Sequence, residues 1–143
     1  MPLLSDDEAR AFIAAHNRGV LVTLKRSDGR PQLSNVRYGV IDGHVRISVT
    51  DDRAKTANLR RDPRVSLHVT SDDFWTYVVA EGDAQLSPVA RTPGDETCRR
   101  LLAYYEAAAG GPHPDPEEFF QAMVDEHRLE VSFAIGHLYP VRR

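Results

Sequence analysis

Hydrophobic and polar residues alternate over short stretches of this chain, which is the pattern of β-strands that bury one face. The clearest examples are residues 44–50 and 65–70, where valine, isoleucine or leucine occupies every second position. Further strands are predicted at residues 20–25, 31–38, 74–80, 83–87 and 129–140. Turn signals at Ser27–Gly29 and Asp42–Gly43 join the first three strands, which are therefore predicted to form an antiparallel meander. Gly82 is expected to form a bulge between two later strands.

Helical spacing separates these strands in several places. Ser5 and Glu8 form a capping box for the first helix, which is expected to end with Gly19 at the C′ position. The longest helix is predicted from Thr92-Pro93 to Gly110-Gly111, and Asp115 is expected to cap the next one.

Long alternating strands without a βαβ rhythm favour a mainly β fold, in which an antiparallel β-barrel carries flanking helices. The predicted order after the first helix is three strands, a helix, three strands, two helices and a last strand. At 143 residues the chain is long enough for one real core but not for two, so residues 1–143 are predicted to form a single domain.

Composition narrows the class of protein. The chain is 41% hydrophobic and 27% charged, which is typical of soluble globular proteins. Its formal net charge of −3 argues against a protein that mainly wraps nucleic acid. The single cysteine excludes an intramolecular disulfide framework, and no stretch approaches the ~20 apolar residues of a membrane helix. The N-terminus also lacks the basic and apolar regions of a leader, so a cytoplasmic protein without membrane contact is expected.

The strongest chemical signal is the segment Asp51–Arg64, here called the basic corner, which carries Arg53, Lys55, Arg60, Arg61 and Arg64. A short helix is predicted there, with a cap among residues 50–52 and an end at Asp62-Pro63. Arg53 and Lys55 then lie in the first turn, where positive charge opposes the helix macrodipole unless an anion binds. Two interpretations stay open: a phosphate-binding strand-to-helix corner, or a solvated helix face that makes ordinary ion pairs.

Other chemistries leave no signature. The sequence contains no glycine-rich dinucleotide motif, P-loop, serine-hydrolase elbow or zinc-protease motif. Its six histidines stand singly, and Cys98 is expected to be a small core residue, so neither a metal site nor a catalytic residue is assigned. The polar strand at residues 32–35 is expected to adjoin the basic corner. Together they suit a phosphorylated cofactor whose own ring does the chemistry.

Four segments carry a family resemblance. In order they are Gly19-Val-Leu-Val-Thr-Leu, Gly29-Arg-Pro-Gln-Leu-Ser-Asn-Val, Arg53-Ala-Lys-Thr-x-Asn-Leu-x-x-Asp-Pro-Arg64 and Trp75-x-Tyr-x-x-x-Glu-Gly82. This series resembles the pyridoxamine 5′-phosphate oxidase-like split β-barrel proteins. It is most similar to the actinobacterial branch that uses the deazaflavin coenzyme F420 instead of FMN. The resemblance covers nearly the whole chain, and the second and third segments are specific only in combination.

The resemblance implies a six-stranded antiparallel split β-barrel, which assembles as a homodimer with cofactor sites across the subunit interface. It implies that Arg53 and Lys55 are the phosphate-binding pair, and that Thr56 and Asn58 supply a hydroxyl and an amide at the helix start.

The same resemblance implies where the ring of the cofactor lies. Ser48 and Thr50 match positions beside the ring and the ribityl chain. Trp75 and Tyr77 match residues that the second subunit delivers, although Trp75 is equally interpretable as an aromatic of the dimer core. The ring itself is implied to lie along the strand that contains Pro31, Gln32, Ser34, Asn35 and Val36.

The function that follows from the resemblance is that of an F420-dependent oxidoreductase, which transfers a hydride between the deazaflavin and a small organic acceptor. Two alternatives stay open: an FMN-binding oxidase or flavin reductase, and a non-catalytic carrier of flavin, F420 or haem. A nucleic-acid-binding barrel is disfavoured by the negative charge. The C-terminal Arg142-Arg143 lacks the tryptophan and arginine arrangement that grips pyridoxal phosphate, which argues against vitamin B6 oxidation. The insert from Thr92 to His127 matches no ligand motif.

Overall fold

The computed structural model describes residues 3–141, so that Arg142 and Arg143 lie outside the described residues. Strands make up most of the chain, and helices are inserted between them. The elements are α1 (Asp6–Ala15), β1 (Arg18–Leu24), β2 (Pro31–Arg37), β3 (Gly39–Ile41), β4 (His44–Thr50), α2 (Ala54–Arg61), β5 (Arg64–Thr70), β6 (Tyr77–Asp83), β7 (Gln85–Leu86), α3 (Glu96–Ala109), α4 (Pro116–Asp125), β8 (Arg128–Ala134) and β9 (His137–Val141).

The strands form two antiparallel sheets. Sheet A has five strands in the order β2-β1-β5-β6-β9, and sheet B has four in the order β3-β4-β8-β7. Their apolar faces meet in one core, in which Ile47, Leu67 and Phe133 are almost completely buried. The fold is mainly β with flanking helices, as predicted. It differs in detail, because the described residues form nine strands rather than six and their two sheets are not closed into a barrel.

The meander predicted for residues 20–50 is wrong, because the chain changes sheets after β2. β1 and β2 do pair as a hairpin. Tyr38 then turns the chain away from sheet A: its ring is fully buried, and its hydroxyl donates to the Ile13 carbonyl at 2.5 Å. The predicted Asp42–Gly43 turn exists, with positive φ angles of 52° and 74°, but it joins β4 to the short strand β3 and not to β2.

The chain changes sheets three more times, first through α2, which joins β4 in sheet B to β5 in sheet A. Ala84 separates β6 in sheet A from β7 in sheet B, so the strand predicted at residues 83–87 shrinks to two residues. Residues 135–136 separate β8 from β9, so the last predicted strand is two strands in different sheets. The alternating pattern could not reveal the break at Ala84, because Ala84 and Leu86 continue the inward positions of Val78 and Ala80. At the last break the inward positions shift instead, from the odd-numbered residues of β8 to the even-numbered Leu138 of β9.

Gly82 lies inside β6 and does not form the predicted bulge. Its pairing with Val65 continues the β5–β6 register without interruption. A Cβ atom at this position would lie 2.4 Å from the Ala134 carbonyl oxygen and 2.9 Å from Cδ2 of Phe133. The absence of a side chain therefore allows β6 to approach the end of β8 across the core.

We expect Gly82→Ala to lower the free energy of unfolding by about 1–3 kcal/mol, because the added methyl group overpacks this contact. Gly111→Ala is the matched control, since a Cβ there would meet nothing within 4 Å. Urea denaturation of both variants measures the difference. Equal stability of the two variants would contradict the close approach of the sheets.

Trp75 does not lie in a strand, although the pattern predicted one at residues 74–80. Residues 71–76 form a turn in which the Asp73 carboxylate accepts from the Trp75 backbone N–H at 3.2 Å. Phe74 adopts a positive φ of 81°, and the Thr70 hydroxyl donates to its carbonyl at 3.0 Å. These side-chain hydrogen bonds to the backbone compete with the ladder, so β6 begins only at Tyr77.

Apart from α2, the helices follow the predicted capping signals with two exceptions. The Ser5–Glu8 capping box is confirmed, with both hydrogen bonds at 3.1 Å, but Gly19 lies within β1 and not at the helix end. The longest helix begins after Asp95, which caps Cys98, rather than at Thr92-Pro93. No helix of residues 3–141 is long and apolar enough to cross a membrane.

The helical insert packs a second, smaller core on the outer face of sheet B. Gly110 ends α3 in a left-handed conformation, and Asp115 caps α4, both as predicted. Cys98 is fully buried in this small core with Leu101 and Phe119, which confirms its interpretation as a core residue.

Candidate functional site

The helix of the basic corner, α2, begins without a side-chain cap. Its N-cap residue is Arg53, which is extended with φ −77° and ψ 147°, so the cap predicted among residues 50–52 is wrong. The hydroxyl of Thr50 donates instead to Asp52 at 2.8 Å, and Asp51 accepts from Arg60 at 2.6 Å. Because these side chains form other hydrogen bonds, none of them caps the positive end of the helix.

The five cations of the basic corner divide into two groups. Arg60 and Arg64 form ion pairs with Asp51 and Asp62 at 2.6 and 2.7 Å, and Arg61 donates to the Leu24 carbonyl. Arg53 and Lys55, in contrast, form no ion pair or side-chain hydrogen bond with any residue of the range 3–141. The pair that the family resemblance singled out is thus the pair left available to a ligand.

Lys55 is held in an environment that disfavours its own charge. Burial, together with the charges of Arg53 and Arg128, lowers the pKa of Lys55 below its ordinary value. A bound anion would reverse this effect, because it would stabilise the protonated amine.

Arg128 was not predicted as a site residue. It pairs with Thr50 in the β4–β8 ladder, and its guanidinium donates to the Ser48 hydroxyl at 3.3 Å. It also donates to Glu126 at 3.0 Å. No sequence signal could reveal it, because its place beside the basic corner depends on the pairing of two strands that are about 80 residues apart in sequence.

A cavity of about 420 Å³ opens at this point, between the loop before α2 and the junction of α4 with β8. Residues 50–53 line one side of it and residues 126–128 the other. Three acidic groups line it: Asp51 pairs with Arg60, Glu126 pairs with Arg128, and the Thr50 hydroxyl and the Arg53 charge lower the pKa of Asp52. Arg53 in the cavity wall and Lys55 two residues further on have no carboxylate partner among residues 3–141, and their charge fits a phosphate group.

Asn58 connects the basic corner to strand β2. It lies one helical turn after Lys55, is 8% exposed, and its amide donates to Gln32 Oε1 at 3.0 Å and to Thr23 Oγ1 at 3.1 Å. Through this network strand β2 adjoins the basic corner, as expected. β2 does not pair with β4, however, although the predicted meander required that pairing. Thr56 is fully buried, and its hydroxyl donates to the Thr50 carbonyl at 2.8 Å.

The five residues assigned to the ring on β2 lie on two faces of the strand. Gln32 pairs with the buried Thr23, so Gln32, Ser34 and Val36 face the core side of sheet A. Pro31 and Asn35 alternate with them and face outward. Asn35 lines a groove of about 490 Å³ on the outer face of sheet A. One chain therefore does not bring all five residues together.

Ser48 and Thr50 lie together on β4, where they alternate with the buried Ile47 and Val49. They face away from the core, toward Arg128, and so belong to the same corner as Arg53.

Trp75 and Tyr77 lie far along sheet A from the contact between Asn58 and Gln32. Tyr77 pairs with Thr70, at the end of the sheet where Arg18 and Arg37 pair, whereas Gln32 lies near the opposite end of β2. The side chain of Trp75 is 51% exposed. Within one chain these two aromatic residues do not contribute to the corner.

No group of three or more histidine, cysteine, aspartate or glutamate side chains within residues 3–141 is arranged to hold a metal ion.

Comparison with known proteins gives two further findings. The family model described as pyridoxamine 5′-phosphate oxidase matches residues 5–133. Among solved structures, a conserved hypothetical protein from Mycobacterium tuberculosis, Rv2991, is 25% identical, with a TM-score of 0.77 over 98% of this chain and 86% of that one.

Two other solved structures share the fold at lower identity. A protein named F420 reductase is 20% identical, with a TM-score of 0.67 over 91% of this chain and 94% of its own. An FAD-binding protein from Mesorhizobium loti is also 20% identical, with a TM-score of 0.67 over 96% of this chain and 92% of its own.

Proposed function

This chain belongs to the pyridoxamine 5′-phosphate oxidase family, and from that premise we propose that it is a cytoplasmic F420-dependent oxidoreductase. It transfers a hydride between the deazaflavin and a small organic acceptor. The observation that carries the proposal is the pair Arg53 and Lys55, which lacks ion-pair partners among residues 3–141 and lies at the uncapped start of α2. In this proposal the pair binds the phosphate of the cofactor.

The chain's own residues bind and orient the cofactor. Arg53 has the planar fork that grips a phosphate through two hydrogen bonds, whereas Lys55 acts as a point charge. From the phosphate, α2 leads through Asn58 to Gln32, whose amide N–H groups would be available to the polar edge of the ring, and Ser34 lies on the same face of β2.

When bound and reduced, the deazaflavin supplies a hydride from C5. The residues of this site need not act as an acid or a base. Their contribution is to hold the ring against the acceptor and to exclude water, because correct positioning of the two reactants lowers the barrier to hydride transfer.

We further propose that the protein acts as a homodimer. The outer face of sheet A exposes apolar side chains, among them Leu33 at 62% and Tyr139 at 56%. Pro31 and Asn35 share that face, and Trp75 and Tyr77 lie at one end of it. A second copy packed there would cover the exposed apolar surface and deliver its aromatic residues to the site, as the family resemblance implies.

An FMN-dependent oxidase or flavin reductase is the second candidate. A structural neighbour that is named FAD-binding favours it. The two candidates differ in their reaction with oxygen, because a reduced flavin reacts with oxygen to form peroxide whereas a reduced deazaflavin does not.

Titration of the apo-protein with F420 and with FMN, followed by fluorescence, distinguishes the candidates. We expect tight binding of F420 and hydride transfer to a quinone or nitro acceptor without peroxide in air. Micromolar binding of FMN without binding of F420 would overturn the choice of cofactor. Tight binding without transfer to any quinone, nitro or tetrapyrrole acceptor would instead identify a carrier.

A further inference from the structure

Resting on the proposed function, we propose that Arg128 is a third cation of the phosphate site and that the helical insert holds it there. The family resemblance assigned only Arg53 and Lys55 to this role. Arg128 follows the insert directly and reaches the corner from the opposite wall of the cavity.

The orientation of Arg128 is set by two neighbours. Its Nε donates to Glu126 at 3.0 Å and its Nη1 to the Ser48 hydroxyl at 3.3 Å. Its side chain is 29% exposed, so the guanidinium is partly desolvated but still reaches the cavity. A guanidinium carries five N–H donors. The second terminal nitrogen is thus left to donate to a ligand.

The junction between the insert and β8 is attached to the basic corner itself. The Asp51 backbone N–H donates to the His127 carbonyl at 3.0 Å, and His127 adopts a left-handed φ of 52°. β8 continues from this junction and pairs Arg128 with Thr50. The insert therefore ends on the loop that precedes Arg53, and any change in its packing would move Arg128 relative to that loop.

Charge supports the same assignment. Arg128 is close enough to Lys55 to contribute to its lowered pKa, and it lines the same cavity as Arg53. Of the three acidic groups that line the cavity, Asp51 is paired with Arg60, Glu126 is paired with Arg128, and Asp52 is bonded to Thr50. At the corner as a whole, four cations (Arg53, Lys55, Arg60 and Arg128) thus face three carboxylates, and a phosphate group would satisfy the surplus positive charge.

The test compares ligands that differ only in the phosphate. We expect Arg128→Met to raise the dissociation constant of FMN at least about tenfold and to leave that of riboflavin within about twofold, because the lost bonds are charge-assisted. F420 and its deazaflavin core form a coarser second pair, because the core lacks both the phosphate and the tail attached to it. Arg128→Lys is expected to recover part of the loss, since it restores the charge without the fork.

Arg10→Met is the matched control, because it removes one exposed positive charge from α1, far from the corner in sequence. An Arg128→Met protein that keeps the wild-type preference for FMN over riboflavin would overturn the assignment. A separate measurement follows the rise in melting temperature of the apo-protein on addition of inorganic pyrophosphate. We expect that rise in wild type and in Arg10→Met, and its loss in Arg128→Met.

The two measurements separate this inference from the proposed function. If wild type binds neither F420 nor FMN, the proposed function fails, and the pyrophosphate shift still tests Arg128. If wild type binds FMN more tightly than riboflavin but Arg128→Met does the same to an equal degree, only the assignment of Arg128 fails.

Discussion

Replacement of both Arg53 and Lys55 by alanine is expected to weaken binding of the phosphorylated cofactor at least about 100-fold, because two charge-assisted contacts to the phosphate are lost. The apo-protein is expected to fold normally and to gain about 0.3–1 kcal/mol of stability, the usual cost of a cation in the first turn of a helix. Fluorescence titration and urea denaturation measure the two effects.

The sign of the stability change follows from the pKa of Lys55. That pKa is lowered in the folded protein by burial and by the charges of Arg53 and Arg128. The unfolded chain therefore holds the proton more tightly, and protonated Lys55 costs stability at all pH values below its folded pKa. As the pH rises from there toward the ordinary lysine value of about 10.4, the cost is relieved. The gain from the double replacement should shrink over the same range.

Arg60→Ala with Arg64→Ala is the matched control, because it removes the same charge from the same corner. Both of these arginines already have carboxylate partners, Asp51 and Asp62. We expect the control to change cofactor affinity by less than about threefold, since exposed ion pairs contribute little. If both double variants weaken binding equally, the effect is general electrostatics, and the assignment of Arg53 and Lys55 is wrong.

The second large effect is expected at Glu130, whose replacement by glutamine should destabilise the fold by about 3–5 kcal/mol. The Glu130 side chain is completely buried on β8 and accepts from Arg100 at 2.7 Å and from Arg46 at 3.4 Å. The Arg46 side chain is only 16% exposed, and its buried Nε has no hydrogen-bond partner among the described residues. Without the carboxylate, that buried charge would be left uncompensated.

A second replacement makes this prediction specific. Arg46→Met in the Glu130→Gln background is expected to recover most of the lost stability, because it removes the stranded charge and keeps a similar volume. Glu81→Gln is the control: Glu81 is half exposed and lies 3.9 Å from His137, so its loss should change the free energy of unfolding by less than about 0.5 kcal/mol. Failure of Arg46→Met to recover any stability would show that the loss does not arise from an uncompensated charge on Arg46.

Local signals in the sequence predicted the secondary-structure elements well where the stabilising interactions join residues that are close in sequence. The Ser5–Glu8 capping box, the strand at residues 44–50 and the Gly110 helix end depend on residues within one turn or one strand of each other. The start of the longest helix was misplaced for a related reason. Asp95 accepts hydrogen bonds from the backbone N–H groups of Cys98 and Thr92 and is therefore the N-cap. These bonds outweigh the preference of proline for the first turn of a helix, on which the prediction rested.

The assignment of strands to sheets could not be predicted from alternation. At Tyr38 and Ala84 the chain changes sheets without shifting its inward and outward positions, so these breaks leave no trace in the pattern. Trp75 was misplaced because Asp73 and Thr70 hold the residues before β6 in a turn by side-chain hydrogen bonds.

The candidate site shows the same difference between features that depend on neighbouring residues and features that depend on distant ones. The sequence by itself determined that Arg53 and Lys55 would stand at the start of a helix, because strand, helix and cations follow one another within a few residues. Only the tertiary structure decided that Arg60, Arg61 and Arg64 would be engaged elsewhere and that Arg128 would join the corner. Ion pairs and cavity walls bring together side chains that are distant in the chain, and which of them meet depends on how β4 pairs with β8.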